Sequence, residues 1–286
     1  MSERKAGPWL VTGAAGMLGS ELVTRLRSEG AEVLGLARTD LDLCDHDAVR
    51  AAVRRYGPAT VVNCAAWTAV DDAETQEAAA LALNGDAVRA LTGACADAGA
   101  RLVHVSTDYV FAGTGTEPYA EDAPTAPVNA YGRTKLAGER AVLESGDGYV
   151  VRTAWLYGAY GPNFVRTMTR LAAERETVTV VDDQHGQPTW TGDLADRIIA
   201  LARSGAPAGV YHGTNAGRTT WYGLAREIFT LLGLDPGRVL PTTGDAFARP
   251  APRPANSVLG HARWADAGLP PPRDWRAALH EAWPRL

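Results

Sequence analysis

Lysine is almost missing from this chain. All but two of its 28 Lys and Arg residues are arginines, and the exceptions are Lys5 and Lys135. Cysteine is scarce as well. Cys44, Cys64 and Cys95 are odd in number, widely spaced and without metal-ligand spacing, which argues against a disulfide framework and against a bound metal. Reduced thiols of a cytoplasmic protein are the reading they support. No uninterrupted apolar run approaches the roughly 18 residues of a membrane span. The first apolar stretch, Trp9 to Leu18, is broken by Gly13 and Gly16 and reads poorly as a signal peptide. Basic excess is absent too: the net charge is −5, with no block of one sign, so neither nucleic acid nor a membrane surface is an expected partner. No repeat or low-complexity segment stands out, although proline becomes denser after Pro241. What remains is an ordinary globular composition, 46% hydrophobic and 21% charged, over 286 residues. That length can bury one large domain, or a domain and a smaller lobe.

Against that background, the interior Lys135 stands four residues after Tyr131, in Tyr131-Gly132-Arg133-Thr134-Lys135. On a helix, positions i and i+4 share a face, so a lysine ammonium can sit beside the phenol oxygen. A nearby cation favours the ionised form of a phenol, whose ordinary pKa is about 10, and a tyrosine so placed can donate a proton near neutral pH. An exposed Tyr and Lys on a solvated helix is the plainer reading of the same spacing. What lies upstream decides between them.

Trp9 to Thr12 is a short apolar strand that ends in Gly13-Ala14-Ala15-Gly16-Met17-Leu18-Gly19, after which Leu18, Leu22 and Leu26 recur at helical spacing. A strand, a glycine turn and a helix N-terminus offer free backbone amides to a pyrophosphate, which assigns Gly13, Gly16, Met17, Leu18 and Gly19 to a dinucleotide cofactor. The second strand, Glu32 to Leu36, ends at Arg38, where an arginine suits the 2′-phosphate of NADPH. Asp40 and Asp42 follow closely and leave NADH open. Asp45 or Asp47 can cap a helix that reaches to about Tyr56. A third strand is expected over Thr60–Ala66, with Ala65 and Ala66 small enough for a cofactor to approach the backbone. The Ala-rich stretch to Ala98 reads as mostly helical with a bend at Asn84-Gly85. Arg101 to Val105 is a fourth buried strand that delivers Ser106-Thr107-Asp108-Tyr109 at its tip, and Asn129 caps the Tyr131 helix. A fifth strand follows at Tyr149–Arg152, then a helix over Phe164–Glu174, a strand at Val178–Val181, a helix near Asp193–Arg203, a short strand at Gly209–His212 and a helix over Trp221–Leu232. The expected class is α/β, a Rossmann-type doubly wound parallel sheet with a smaller mixed C-terminal lobe for substrate. Residues 1–162 form the cofactor domain and 163–286 mainly the lobe, with some segments returning to the sheet.

Gly13-x-x-Gly16-x-x-Gly19, Ser106-Thr107 and Tyr131-x-x-x-Lys135, in that order, resemble the extended short-chain dehydrogenases/reductases. Longer stretches narrow the resemblance to the dTDP-4-dehydrorhamnose reductase family: Asn63 to Asp71, His104 to Phe111, Tyr131 to Glu139, Val180 to Gln184 and Arg253 to Ser257. The resemblance implies NADPH-dependent reduction of the C4 carbonyl of a dTDP-4-keto-6-deoxyhexose by Thr107, Tyr131 and Lys135, with Lys135 lowering the pKa of Tyr131. It puts the adenine near Asp42 and Leu43, the nicotinamide near Ala65 and Ala66, and the substrate against Val70, Tyr109, Trp155, Asn163 and Gln187. By it, Arg253 takes the substrate pyrophosphate, and the protein is a monomer or a homodimer. Trp67 and Trp190 depart from the family pattern and leave the exact hexose open. Two other readings are a non-catalytic NADP-binding regulatory subunit, against which the intact trio argues, and a sugar-nucleotide dehydratase or epimerase. Dehydratases read Thr-Asp-Glu at the strand tip, where this chain reads Thr107-Asp108-Tyr109.

Overall fold

The computed structural model describes residues 7–247 and 249–286; Lys5 lies outside them. The first half of the chain alternates strand and helix: β1 (Trp9–Thr12), α1 (Met17–Ser28), β2 (Val33–Leu36), α2 (His46–Tyr56), β3 (Thr60–Asn63), α3 (Val70–Ala73), α4 (Glu77–Leu81), α5 (Ala87–Ala98), β4 (Arg101–Thr107), α6 (Ala130–Glu144) and β5 (Tyr149–Thr153). After it come β6 (Leu156–Tyr157), α7 (Phe164–Glu174), β7 (Val178–Val181), β8 (His185–Gly186), β9 (Thr189–Trp190), α8 (Thr191–Arg203) and β10 (Gly209–His212). The chain closes with β11 (Thr219–Thr220), α9 (Trp221–Leu231), β12 (Val239–Thr242), α10 (Ala262–Asp266) and α11 (Trp275–Ala282).

Six parallel strands form the main sheet in the order β10-β5-β4-β3-β1-β2. Adjacent apolar residues along each strand point to opposite faces, and both faces are covered. Val11, Val62, Val103 and Val151 meet Leu22 and Leu26 of α1 and Leu194 and Ile198 of α8 on one side. Leu10, Val61, Leu102 and Val150 meet Val49 and Val53 of α2, Leu91 of α5 and Val142 of α6 on the other. The chain leaves β1 for β2 on one flank and for β3 on the other, so a crevice opens where β1 and β3 diverge at their carboxyl ends. A further core gathers Val165 and Met168 of α7, Leu224 and Phe229 of α9, and Trp275 and Leu279 of α11. From beyond residue 163, α8 and β10 return to the main sheet.

Two local expectations change. The third strand ends at Asn63, because the Asn63 side chain turns back to accept from the Ala65 amide (3.1 Å) and bends the chain out of the sheet. Asn84-Gly85 is no bend: Ala82–Asp86 forms a π-helical turn that carries α4 into α5 without a break. The extra residue aims buried Asn84 at the Trp67 backbone, accepting from its N–H at 2.8 Å and donating to its carbonyl at 3.1 Å. Gly138 lets α6 lie against this turn, since a Cβ there would sit 2.2 Å from the Asn84 carbonyl oxygen.

Candidate active site

At the carboxyl ends of the strands lies a cleft of about 980 Å³. One end is built by the glycine turn. Gly13 has φ +66°, and a Cβ on it would stand 2.6 Å from the Ala65 nitrogen, so the turn presses on the exit of β3. A Cβ on Gly19 would meet the Gly13 carbonyl oxygen at 2.2 Å. Only glycines allow α1 to start this close to the turn, and its first amides have no capping side chain. Met17, Leu18, Ala65 and Ala66 line the same end. Beyond β2, Arg38, Asp42 and Leu43 continue the wall. The two acids near Arg38 are spent locally: Asp40 accepts from the Ala37 amide at 2.8 Å and Asp42 from the Cys44 amide at 3.0 Å. Among the described residues Arg38 makes no ion pair, and it is exposed at the rim. This free cation beside a glycine cradle fits a phosphorylated dinucleotide.

Thr107, Asp108 and Tyr109 emerge at the tip of β4, and Tyr131 and Lys135 face them from α6; all five line the cleft. Asn129 caps α6 by accepting from the Gly132 amide at 2.8 Å. Gly132 brings the helix against the Tyr109 carbonyl oxygen, 2.2 Å from where a Cβ would stand. Burial pushes the Tyr131 phenol up to about 12, the Thr107 side chain draws it down by hydrogen bonding, and the charge of Asp108 raises it further. Its ring meets that of Tyr109 edge-on, with centroids 5.9 Å apart. Lys135 is 1% exposed. Its Nζ donates to the Val105 carbonyl at 2.7 Å and lies 3.3 Å from His104 Nε2. Burial brings its pKa down to about 8, against the favourable charge of Glu139 and a contribution from Cys64.

Asp108 is buried, accepts from the Thr107 hydroxyl at 3.0 Å, and has Oδ2 without a partner. Ser106 Oγ is likewise unpartnered and lines the cleft. Burial pushes Asp108 up to about 6, against the opposing pull of the nearby Ser257 and Thr107 hydroxyls. A carboxyl whose folded pKa is raised is harmless below its unfolded value near 4 and costs stability once the pH rises through its folded one. Asp108→Asn is therefore expected to stabilise the fold at neutral pH by about 2 kcal/mol, with the gain vanishing between about pH 6 and pH 4. Urea denaturation at both ends of that range checks it; an Asn variant no more stable at neutral pH contradicts it.

Val70 and Trp155 line the cleft with Tyr109. Trp155 adopts φ +46°, the one left-handed non-glycine among the described residues. It stacks on Trp221 with centroids 3.6 Å apart and planes 12° from parallel. Trp221 also lines the cleft, and no motif marks it in sequence. Three expected substrate residues stand outside the lining. Asn163 caps α7, accepting from the Arg166 amide at 3.0 Å and donating to the Gly158 carbonyl at 3.0 Å. Gln187 is buried, its amide spent on both backbone groups of Leu259 and on the Thr214 hydroxyl. Arg253 grips Asp71 with two bonds, at 2.9 and 3.0 Å, and gives a third to the Ala251 carbonyl. The bidentate geometry expected for a pyrophosphate is thus turned on a carboxylate of the same chain, which Arg253 holds below the usual carboxylate range.

Sequence and structure comparisons agree on one set of relatives. The family description "RmlD substrate binding domain" matches residues 8–286. The dTDP-4-dehydrorhamnose reductase of Streptomyces griseus is 61% identical over 97% of this chain and 93% of its own. The dTDP-4-keto-6-deoxy-D-glucose reductase of Streptomyces niveus is 58% identical over 97% of each chain. Among solved structures, the dTDP-4-dehydrorhamnose reductase of Bacillus anthracis in complex with NADP superposes with a TM-score of 0.95 at 36% identity, over 99% of this chain and 100% of that one.

Proposed function

This chain belongs to the dTDP-4-dehydrorhamnose reductase family, and we propose that it reduces the C4 carbonyl of a dTDP-4-keto-6-deoxyhexose with NADPH. The observation that carries this is the convergence of Thr107, Tyr131 and Lys135 in one cleft with the glycine cradle. The cofactor, when bound, supplies the hydride. Gly13, Gly16 and Gly19 keep side chains out of its phosphates' path, and Arg38 meets the 2′-phosphate. Tyr131, whose burial keeps it protonated at neutral pH, gives its proton to the C4 oxygen. An alkoxide is far more basic than a phenolate, so the transfer runs downhill. Thr107, once its hydroxyl turns from Asp108, holds that oxygen by a hydrogen bond. Lys135, freed from Val105, adds positive charge beside the phenolate left behind. The Trp155–Trp221 stack walls the sugar-nucleotide end, and Val70 and Tyr109 narrow it.

A dehydratase needs a base at the position of Tyr109, and burial pushes that phenol well above its ordinary range. Tyr109 therefore keeps its proton, and the reductase reading stands over the dehydratase one. The test is NADPH oxidation in the presence of a dTDP-4-keto-6-deoxyhexose. Equimolar loss of NADPH and keto sugar is expected. In Arg38→Ala the KM for NADPH should rise about tenfold, the worth of roughly one charge-assisted contact, with NADH little changed. No oxidation with any such sugar overturns the reading, and equal weakening of both cofactors removes Arg38 from it.

A further inference from the structure

Beneath the Tyr131–Lys135 face of α6 lies a buried chain of polar groups that the reaction as described does not use. It begins at Asn63, fully buried at the end of β3. Its Oδ1 accepts from the Thr12 hydroxyl at 2.7 Å and from the Ala65 backbone amide at 3.1 Å. A backbone N–H can only donate, so the carboxamide has one orientation and its Nδ2 points the other way. That Nδ2 lies 3.1 Å from Nδ1 of His104, a residue of β4 with no exposed surface. An amide nitrogen also can only donate, so His104 Nδ1 is the acceptor and carries no hydrogen. Burial and the neighbouring Lys135 hold the ring far from its charged form. The neutral ring then carries its hydrogen on Nε2, and Nε2 lies 3.3 Å from Lys135 Nζ.

This contact has a definite chemical sense. An ammonium has three donors and no lone pair, so it meets the His104 N–H donor to donor. A neutral amine has a lone pair to accept that N–H while still donating to the Val105 carbonyl at 2.7 Å. The ring cannot swing aside readily: Gly138 leaves it just enough room, a Cβ there standing 3.3 Å from Nε2. The other groups facing Lys135 do not reverse the balance. Glu139 favours the ammonium, but both its oxygens are engaged by Arg152 of β5 at 2.8 to 3.2 Å. Cys64 beyond β3 is a thiol that burial keeps protonated, and Tyr131 is likewise neutral.

We propose that His104 is a positioning residue for the reaction: with its ring turned by Asn63 so that Nε2 carries the hydrogen, it favours the neutral amine of Lys135 in the free enzyme. The proposal rests on the reading of Lys135 as the cation that supports Tyr131. It follows that Lys135 binds one proton from solvent when it leaves Val105 and His104 to serve that role, so cofactor binding takes up a proton above the lysine's midpoint in the free enzyme. His104 is fully buried and does not line the cleft, so it acts through the lysine.

With just two lysines in the chain, the spectrum of the enzyme labelled with ¹³C and ¹⁵N in lysine holds two signals, and Lys135 can be titrated directly by NMR. Its midpoint in the free wild type is expected near 8. In Asn63→Asp the new carboxylate accepts from both the Ala65 amide and His104 Nδ1, which moves the ring hydrogen off Nε2 and lets Nε2 accept from the ammonium. The Lys135 midpoint should then rise by about one pH unit or more. His104→Gln, whose side-chain oxygen can accept from Nζ, should raise it in the same direction. Titrating NADP⁺ into weakly buffered protein at about pH 8.5 should draw in most of a proton per site for the wild type and little for Asn63→Asp. If a variant fails to fold, the wild-type titrations decide the matter alone. Ring ¹⁵N shifts that place the hydrogen of His104 on Nδ1, or a Lys135 that stays charged beyond about pH 10, overturn the proposal. Failure of the reductase reading would look different, as absent turnover with these titrations unchanged.

Discussion

Tyr131→Phe is expected to lower kcat by about 10²-fold or more, the scale of general-acid catalysis, while leaving cofactor affinity almost unchanged. The variant removes one oxygen and little else. The ring keeps its edge-on packing against Tyr109 at 5.9 Å, and the backbone of α6 is held independently by the Asn129 cap and by Glu74, which accepts from the Ala130 amide at 2.7 Å. The glycine cradle is built from the backbone at Gly13 to Gly19, which the change leaves untouched. Steady-state turnover together with a fluorescence titration of NADPH separates the two effects. Near-normal turnover would remove Tyr131 from the mechanism; a parallel loss of cofactor affinity would make its role structural.

The largest expected effect on stability sits about two turns further along the same helix. Arg152 and Glu139 form a buried ion pair, with side chains 4% and 0% exposed. Arg152 also donates to the Glu121 carbonyl at 3.2 Å and lies over the Phe111 ring at 4.9 Å. Glu139→Gln leaves the guanidinium buried with one neutral acceptor where two charged oxygens stood, which is expected to cost about 3–5 kcal/mol. Replacing both residues by apolar ones of similar volume should recover most of that, because no charge is then stranded. Urea denaturation of the single and double variants decides it. A single variant that loses less than about 1 kcal/mol would mean that solvent reaches the pair.

The parts of this molecule legible in sequence are those that local chemistry determines. The strand, glycine turn and helix from Trp9 to Ser28 follow from residues within a few positions of each other, and so do the Asn129 cap and the limits of the Phe164–Glu174 helix. That Thr107, Tyr131 and Lys135 line one cleft was legible because two short motifs each sit at one element's end, and the fold brings those ends together. What escaped depends on distant partners. Arg253 reads as a free cation among prolines until the fold brings it to Asp71, 182 residues away. Gln187 reads as a polar loop residue until Thr214 and Leu259 absorb its amide. Lys135 shares a helix face with Tyr131 as its spacing requires, yet spacing cannot say that a strand carbonyl will hold its ammonium. Trp221 carried no signal, and His104 entered only as the first residue of a longer matching stretch, since a tryptophan after a helix cap and a histidine in an apolar strand are ordinary core residues.

The most direct measurement of the central claim follows the hydride itself. NADPH carrying deuterium at the reactive position of nicotinamide C4 is incubated with a dTDP-4-keto-6-deoxyhexose, and the product is read by NMR. Reduction places deuterium on C4 of the hexose, with NADP⁺ formed in equal amount. A sugar product free of deuterium, with the cofactor unconsumed, would contradict the account, because hydride would then have moved only within a closed internal cycle.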